Sequence, residues 1–383
     1  MIIRNETDFE VATTFGTGQD NQPCIAFIVK ATFRLPQQIG ETPTLAGQQL
    51  PIAAAAEYFD GDSSGSVSME SDMVTFKPYA DIVVSGTAYA PGGRPSSSVD
   101  VLVRVGQKRK VLRIFGDRQW IFPSRMVMKP VMSDPDPFTE MPIIYERAFG
   151  GIDGDAGKHC TQNLIGRGYL GKKTKESVHE TRLPNVEDPT RLISSWKDKP
   201  MPAGLGFYGR AWQPRAALAG SEEGFDNAHP FFGTAEDFNP AFNNGAHPDL
   251  QVAHYLSGDE EVELINLTPD RKRRFQLPGI RPALTIERYN EPPDIEDPDV
   301  LEAIAAVMNE DAPADLEGAV QPQYSLEMDQ QDVAMHLDTL VFLADDDLFY
   351  MVWRGQLPVG PVITEDDMVD AFLRLAKVHV HLE

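Results

Sequence analysis

Residues 141–220 have the apolar content of a packed interior and the period of neither regular structure. They read MPIIYERAFGG (141–151), NLIGRGY (163–169), LPNVEDP (183–189), PAGLGFYGRAW (202–212) and QPR (213–215). Neither a 3.6-residue nor a 2-residue repeat runs through them. A disordered linker would be poorer in Phe, Tyr, Trp and Leu. The stretch is therefore read as a long ordered loop region, packed through aromatics and pinned by Arg–carboxylate pairs. Compact domains seldom carry such loops without a function. The residues singled out are Tyr145, Glu146, Arg147, Phe149, Arg167, Tyr208, Arg210, Trp212 and Arg215. They either meet a partner or hold the loops in place. Exposure of Phe149, Tyr208 or Trp212 would favour recognition, and burial of all three would favour a framework.

The flanks read as β structure. In Ile25–Leu35, Val29, Ala31, Phe33 and Leu35 face one way, and Lys30, Thr32 and Arg34 the other. Ile82–Tyr89 follows as a strand. Val99–Val105 and Lys110–Phe115 form a hairpin, with Lys108, Arg109 and Lys110 placed at its turn. Glu261–Leu267 and Arg274–Leu277 pair around TPDR, so RKRR (271–274) reads as a solvated hairpin end. Leu337–Leu343 and Leu348–Trp353 pair around ADDD. Thr364 caps a helix over about Glu365–Ala376, which gives way to an alternating Lys377–Leu382.

The expected fold is mainly β: antiparallel hairpins in one or two sandwich-like layers, with long ordered loops and few short helices. Three sections are expected. Residues 1–130 form an N-terminal β region, 131–285 a loop-rich region with a hairpin, and 286–383 an acidic closing region. Within the last, 291–322 reads as an inserted segment with a short helix over Val300–Met308. One continuous domain over 1–355 is the alternative.

Net charge is −24, concentrated in residues 286–383, which hold 4 Lys and Arg against 23 Asp and Glu. Such a surface repels nucleic acid and anionic membrane; it is read first as a solvated face and second as one that suits a basic partner. No run is long and apolar enough for a membrane span, and MIIRNETDFE lacks the apolar core of a signal peptide. A cytoplasmic protein is expected. The two cysteines, Cys24 opening a strand and Cys160 in a polar loop, are read as reduced thiols.

The search for chemistry finds little. GDSSG (61–65) matches G-x-S-x-G with Ser63 as nucleophile, but an elbow needs a buried strand before it and a helix after it. Eight histidines show no HExxH spacing, and no CxxC occurs. His379 and His381 share one strand face, as an exposed edge would arrange them. Glu146 and Arg147, with Arg167, Glu187, Asp188, Arg210 and Arg215, could form a catalytic set; structural ion pairing is the plainer account. No catalytic residue, cofactor or metal is expected.

Several strings carry a family likeness. They are IVKATFRL (28–35), ESDMVTFKPYADIVVSGTAYAPGGRP (70–95), LRIFGDRQW (112–120), PFTEMPIIYERAFGG (137–151), NLIGRGY, LPNVEDP and PAGLGFYGRAWQPR (202–215). FNNGAHPDLQ (242–251), INLTP (265–269) and LDTLVFLADDDLFYMVWRG (337–355) continue the series. In that order they resemble a bacterial family first catalogued as a domain of unknown function and associated with type VI secretion. The resemblance implies a non-enzymatic, cytoplasmic adaptor or chaperone that binds a secreted effector and promotes its loading onto the secretion spike. Its partners would be the effector, for instance a nuclease toxin, and the spike protein. No catalytic residues come with the family. The rival readings are a hydrolase using Ser63 or a loop carboxylate, and a structural component of the spike.

Overall fold

The computed structural model describes residues 2–59, 61, 63–124, 126, 129–171, 174–226, 233–270, 272–289, 298, 328–360, 367, 370–371 and 374–382. Three sheets carry the fold, which is mainly β. The central sheet runs in the order Gln251–Val252, Ala80–Ser85, His336–Leu343, Leu348–Pro358, Pro23–Arg34 and Glu10–Thr17, with Thr44–Leu45 also paired to Pro23–Arg34. A second sheet orders Val186–Glu187, Lys108–Phe115, Ser98–Val105, Glu261–Ile265 and Lys272–Gln276. A third orders Ile2–Asn5, Leu375–Leu382, Pro282–Tyr289 and Met328–Val333.

Pairing in the large sheets is mostly antiparallel and built from hairpins. Two parallel contacts stand out: His336–Leu343 beside Ala80–Ser85, and Ile2–Asn5 beside Leu375–Leu382. Strands from residues 1–130 and 286–383 interleave in the central sheet, so both ends of the chain build it.

Alternation explains the core. Register places Phe33 opposite Phe349, Ala31 opposite Met351 and Val29 opposite Trp353. It places Phe342 opposite Phe349 on the next strand. These residues line one face, against which the second sheet brings Phe275, whose ring centroid lies 5.7 Å from Phe349 and 6.5 Å from Phe342. Phe33 stacks on Phe349 at 5.2 Å. Each buried ring contributes on the order of 1.5–3 kcal/mol. The third sheet packs on the same face near Gly355, where an added Cβ would lie 2.6 Å from both Val333 Cγ1 and Met335 Sδ. Glycine is needed there for the close approach of the two sheets.

Several sequence expectations change. The predicted strand Ile82–Tyr89 breaks at Gly86, so that Ala80–Ser85 stays in the central sheet while Thr87–Tyr89 pairs with Glu140–Pro142. Lys110 is not at a turn. The turn is Gly106–Gln107, and the pleat carries Lys110 inward, where it is 7% exposed. Arg273 likewise points inward and donates to Pro36 O at 2.9 Å and Asp347 Oδ1 at 2.9 Å, so the basic run is not wholly solvated. Cys160 is buried rather than at a polar surface, and both cysteines are free thiols. Leu375 and Ala376 belong to the last strand, not to a helix. The proposed helix over Val300–Met308, nearly all of the segment 291–322, Thr364 and much of the helix over 365–376 lie outside the described residues.

One close approach makes a sharp prediction. A Cβ on Gly116 would lie 1.7 Å from the Asp136 carbonyl oxygen. Gly116→Ala must push the backbone of residues 134–136 away and is expected to cost about 1–3 kcal/mol. A thermal midpoint equal to that of the parent protein would contradict this packing.

Candidate functional site

Much of the second face of the central sheet is covered. Lys30 and Thr32 are both fully buried, although the sequence suggests the outer side of a strand. The reason is the irregular chain itself: Gln49, Pro51 and Asp72, and Asn244 and Gly245 further along, supply partners to this face. Lys30 Nζ bonds Asp72 Oδ2 at 2.8 Å and Pro51 O at 2.9 Å, and sits 4.3 Å from the centre of the Tyr350 ring. The Gln49 side chain closes a two-way bond with the backbone of Thr32, accepting from its N–H at 2.7 Å and donating to its carbonyl at 3.1 Å.

A chain of buried groups continues along the face. Asp81 accepts from Lys77 Nζ at 2.9 Å, from Asn244 Nδ2 at 3.0 Å and from Gly245 N–H at 2.8 Å. Lys77 also donates to Thr339 Oγ1 at 2.8 Å, and Thr339 donates to Asp338 at 2.8 Å. Asp338 pairs closely with Arg354, which donates a further bond to Asp72 O at 2.9 Å. The pairing register shifts between Leu337 and Thr339, and this irregularity brings Asp338 inside. The network anchors loop to sheet through charges that would be costly to bury unpaired.

The loop strings extend this anchoring. Tyr145, Tyr208 and Trp212 meet edge to face, with centroids 5.7, 5.0 and 5.3 Å apart. Tyr145 is 2% exposed, Tyr208 1%, Trp212 6% and Phe149 4%. Beneath the ring cluster lies Glu70. Arg215 Nη1 reaches its Oε1 at 2.7 Å, while Arg210 Nε and Nη2 reach its Oε2 at 3.0 and 2.8 Å. Burial alone would raise the Glu70 pKa; the charges of Arg215 and Arg210 outweigh it and hold the carboxyl below its usual range. Arg215 also donates to the carbonyls of Tyr208 and Phe242, tying two loops to one guanidinium.

A second cluster gathers the other candidates. Glu146 accepts from Ser66 N–H at 2.8 Å and Ser66 Oγ at 2.6 Å. Arg167 donates to Glu146 O at 2.9 Å and to Asn185 Oδ1 at 3.1 Å, with Arg147 on the same Asn185 oxygen at 3.4 Å. Phe149 packs with Trp120, Cys160, Val178, Leu183 and Ile193. Glu187 pairs instead with Arg118. The nine candidates thus separate into two groups, both engaged in holding loops. Burial of Phe149, Tyr208 and Trp212 is the arrangement of a framework. A recognition surface, if the loops carry one, is made by what these residues support.

Sequence reasoning also missed the cluster around His247. His247 Nε2 donates to Pro202 O at 2.9 Å. Its Nδ1 therefore accepts, from Lys110 Nζ at 2.8 Å and from Asp249 N–H at 3.1 Å, which fixes the neutral tautomer. Lys110 also reaches Asp249 Oδ2 at 3.1 Å. Burial pushes Lys110 down to about 8 against the pull of Asp249, and burial with the Lys110 charge pushes His247 down to about 4. The strand alternation that turns Lys110 inward was the available signal.

This cluster predicts a pH dependence. Unfolded imidazole takes up a proton near pH 6.5, whereas folded His247 resists to about 4. In that interval the unfolded chain binds the extra proton. The His247 contribution is fully present above pH 6.5 and is lost as pH drops toward 4. Denaturation between pH 7 and 5, above most carboxylate titration, checks it, and His247→Gln should flatten the profile. A parent profile flat over that range would contradict the assignment.

Ser63 sits exposed in the turn between the short strands Glu57–Tyr58 and Val67–Met69, without the strand-to-helix elbow its motif requires. His379 lies 3.5 Å from Glu287 Oε1, and no group of three metal-ligating side chains occurs among the described residues. A groove of about 570 Å³ between the central and third sheets is lined by Tyr255, Arg281, Asp332, His336, Trp353 and His381, and includes none of the nine candidates. Among the described residues no helix is long and apolar enough to cross a membrane.

No curated protein and no solved structure matches this chain. Residues 20–354 do match a bacterial family, from just before Pro23–Arg34 to within Leu348–Pro358, leaving Glu10–Thr17 outside. The match spans the paired loops, the ring cluster and Arg354 alike, and on that ground the chain belongs to the family described as "Uncharacterized protein conserved in bacteria (DUF2169)".

Proposed function

We propose that the protein is a non-enzymatic adaptor that binds a type VI secretion effector and promotes its loading onto the secretion spike. The observation that carries this reading is the engagement of the loop-region Arg, Glu, Tyr and Trp side chains in fixing loops to a sheet. A surface ordered before binding loses little entropy when a partner arrives, which favours capture of another polypeptide. The family resemblance supplies the class of partner. The acidic C-terminal section supports a basic cargo, such as a nuclease toxin, whose association would weaken as salt rises.

The test is co-expression with the secretion effector encoded beside the gene. A soluble complex, and a cargo that is degraded or insoluble without this protein, are expected. A cargo that accumulates intact in its absence would count against the reading. Recovery of the protein at fixed ratio in purified spikes would instead make it a structural component.

A further inference from the structure

We propose that the groove between the central and third sheets binds a small organic acid that carries one carboxylate on an apolar body. The proposal goes beyond the adaptor reading and stands without it.

The groove holds about 570 Å³, within the range of small-molecule sites. Topology creates it. Pro282–Tyr289 begins there, Met328–Val333 ends there, and Ala334 and Met335 carry the chain across to His336–Leu343 in the central sheet. Val333, Leu337 and Trp353 are buried along it and give an apolar wall. The Tyr255 and His336 rings, stacked 4.5 Å apart and 18° from parallel, add a flat one. An aromatic body packs favourably on such walls.

Three side chains around the groove carry N–H groups with nothing to bind. Arg281 is exposed, and among the described residues neither its guanidinium nor the His381 ring makes a hydrogen bond or an ion pair. Trp353 is 3% exposed, and its indole N–H has no acceptor among the described residues, although a buried Trp normally finds one. Among the described residues Asp332 is the one carboxylate lining the groove, and it does not serve them. It accepts from Thr285 Oγ1 at 2.8 Å. Thr285 lies four residues beyond Arg281, about 13 Å along an extended chain. The Arg281 end therefore lacks an anion, and a planar guanidinium takes a carboxylate through two parallel bonds. A second negative charge at the far end would meet Asp332, so one carboxylate fits better than two.

The probe is hydrocinnamate, with the neutral hydrocinnamamide and the doubly charged para-carboxyhydrocinnamate as controls, each titrated into the full chain. Hydrocinnamate is expected to bind about tenfold more tightly than either control. It should also shift the Trp353 indole N–H resonance, identified as the signal that Trp353→Phe removes. Arg281→Ala, or Arg281→Gln if the first variant folds poorly, should weaken hydrocinnamate about tenfold and leave hydrocinnamamide unchanged. Arg109→Ala, at an exposed arginine of the second sheet, should change neither. Equal binding of the acid and its amide would overturn the proposal, because the groove would then read only the apolar body. Acid binding that survives both Arg281 variants, or that leaves the Trp353 resonance in place, would put the carboxylate elsewhere and overturn it too.

Discussion

Glu70→Ala is expected to destabilise the protein by about 3–5 kcal/mol, because it leaves Arg215 buried without its counter-charge. Arg215 has a side chain only 5% exposed, and its Nη1 is held by Glu70 and the Tyr208 carbonyl. Removing the carboxylate also loosens the Tyr208 and Phe242 loops, both of which offer a carbonyl to that guanidinium. Glu70→Gln keeps the shape but loses the charge, so an intermediate loss is expected. Arg210→Ala should cost about 1 kcal/mol or less, since that guanidinium is 41% exposed and water screens its share of the pair. Equilibrium unfolding in urea ranks the three. If Arg210→Ala proves as damaging as Glu70→Ala, the clamp is not organised around the buried partner.

Asp338→Ala should have an effect of similar size, about 3–5 kcal/mol, for a related reason. Asp338 and Arg354 have side chains 2% and 3% exposed, and Arg354 has one other bond, to the Asp72 carbonyl. The loss should reach beyond the pair, because Asp338 also accepts from Thr339, which accepts from Lys77. The double change Asp338→Ala with Arg354→Leu removes both charges and should recover much of the stability, since two apolar groups leave no stranded ion. A double variant no better than Asp338→Ala alone would mean that the pair sets backbone geometry rather than balances charge.

The strands were legible because their information is local. Val99, Val101, Val103 and Val105 alternate within eight residues, and the ADDD turn stands between two apolar runs. The loop-rich middle was legible as packed loops for the same reason: aromatic content without period. What covers the second face of the central sheet was not legible. Lys30 finds Asp72 across 42 residues, Lys110 finds His247 across 137, Lys77 finds Thr339 across 262 and Arg354 finds the Asp72 backbone across 282. Nothing near Lys30 in the chain distinguishes an outward lysine from a buried one. The candidates around Glu146 and Arg215 were found as residue types, but their division into two clusters depends on Ser66 and Glu70, far upstream of both.

The order of strands in the central sheet has a consequence for how the molecule is made. Pro23–Arg34 is hydrogen-bonded on one side to Glu10–Thr17, which leaves the ribosome just before it, and on the other to Leu348–Pro358, which emerges long after it. Until Leu348–Pro358 is made, an apolar strand therefore waits half-paired, a state open to wrong partners. Final closure must also join segments separated by nearly the whole chain, a step that is slow for entropic reasons. The nascent protein should consequently depend on cellular holdases until its own His336–Pro358 hairpin arrives.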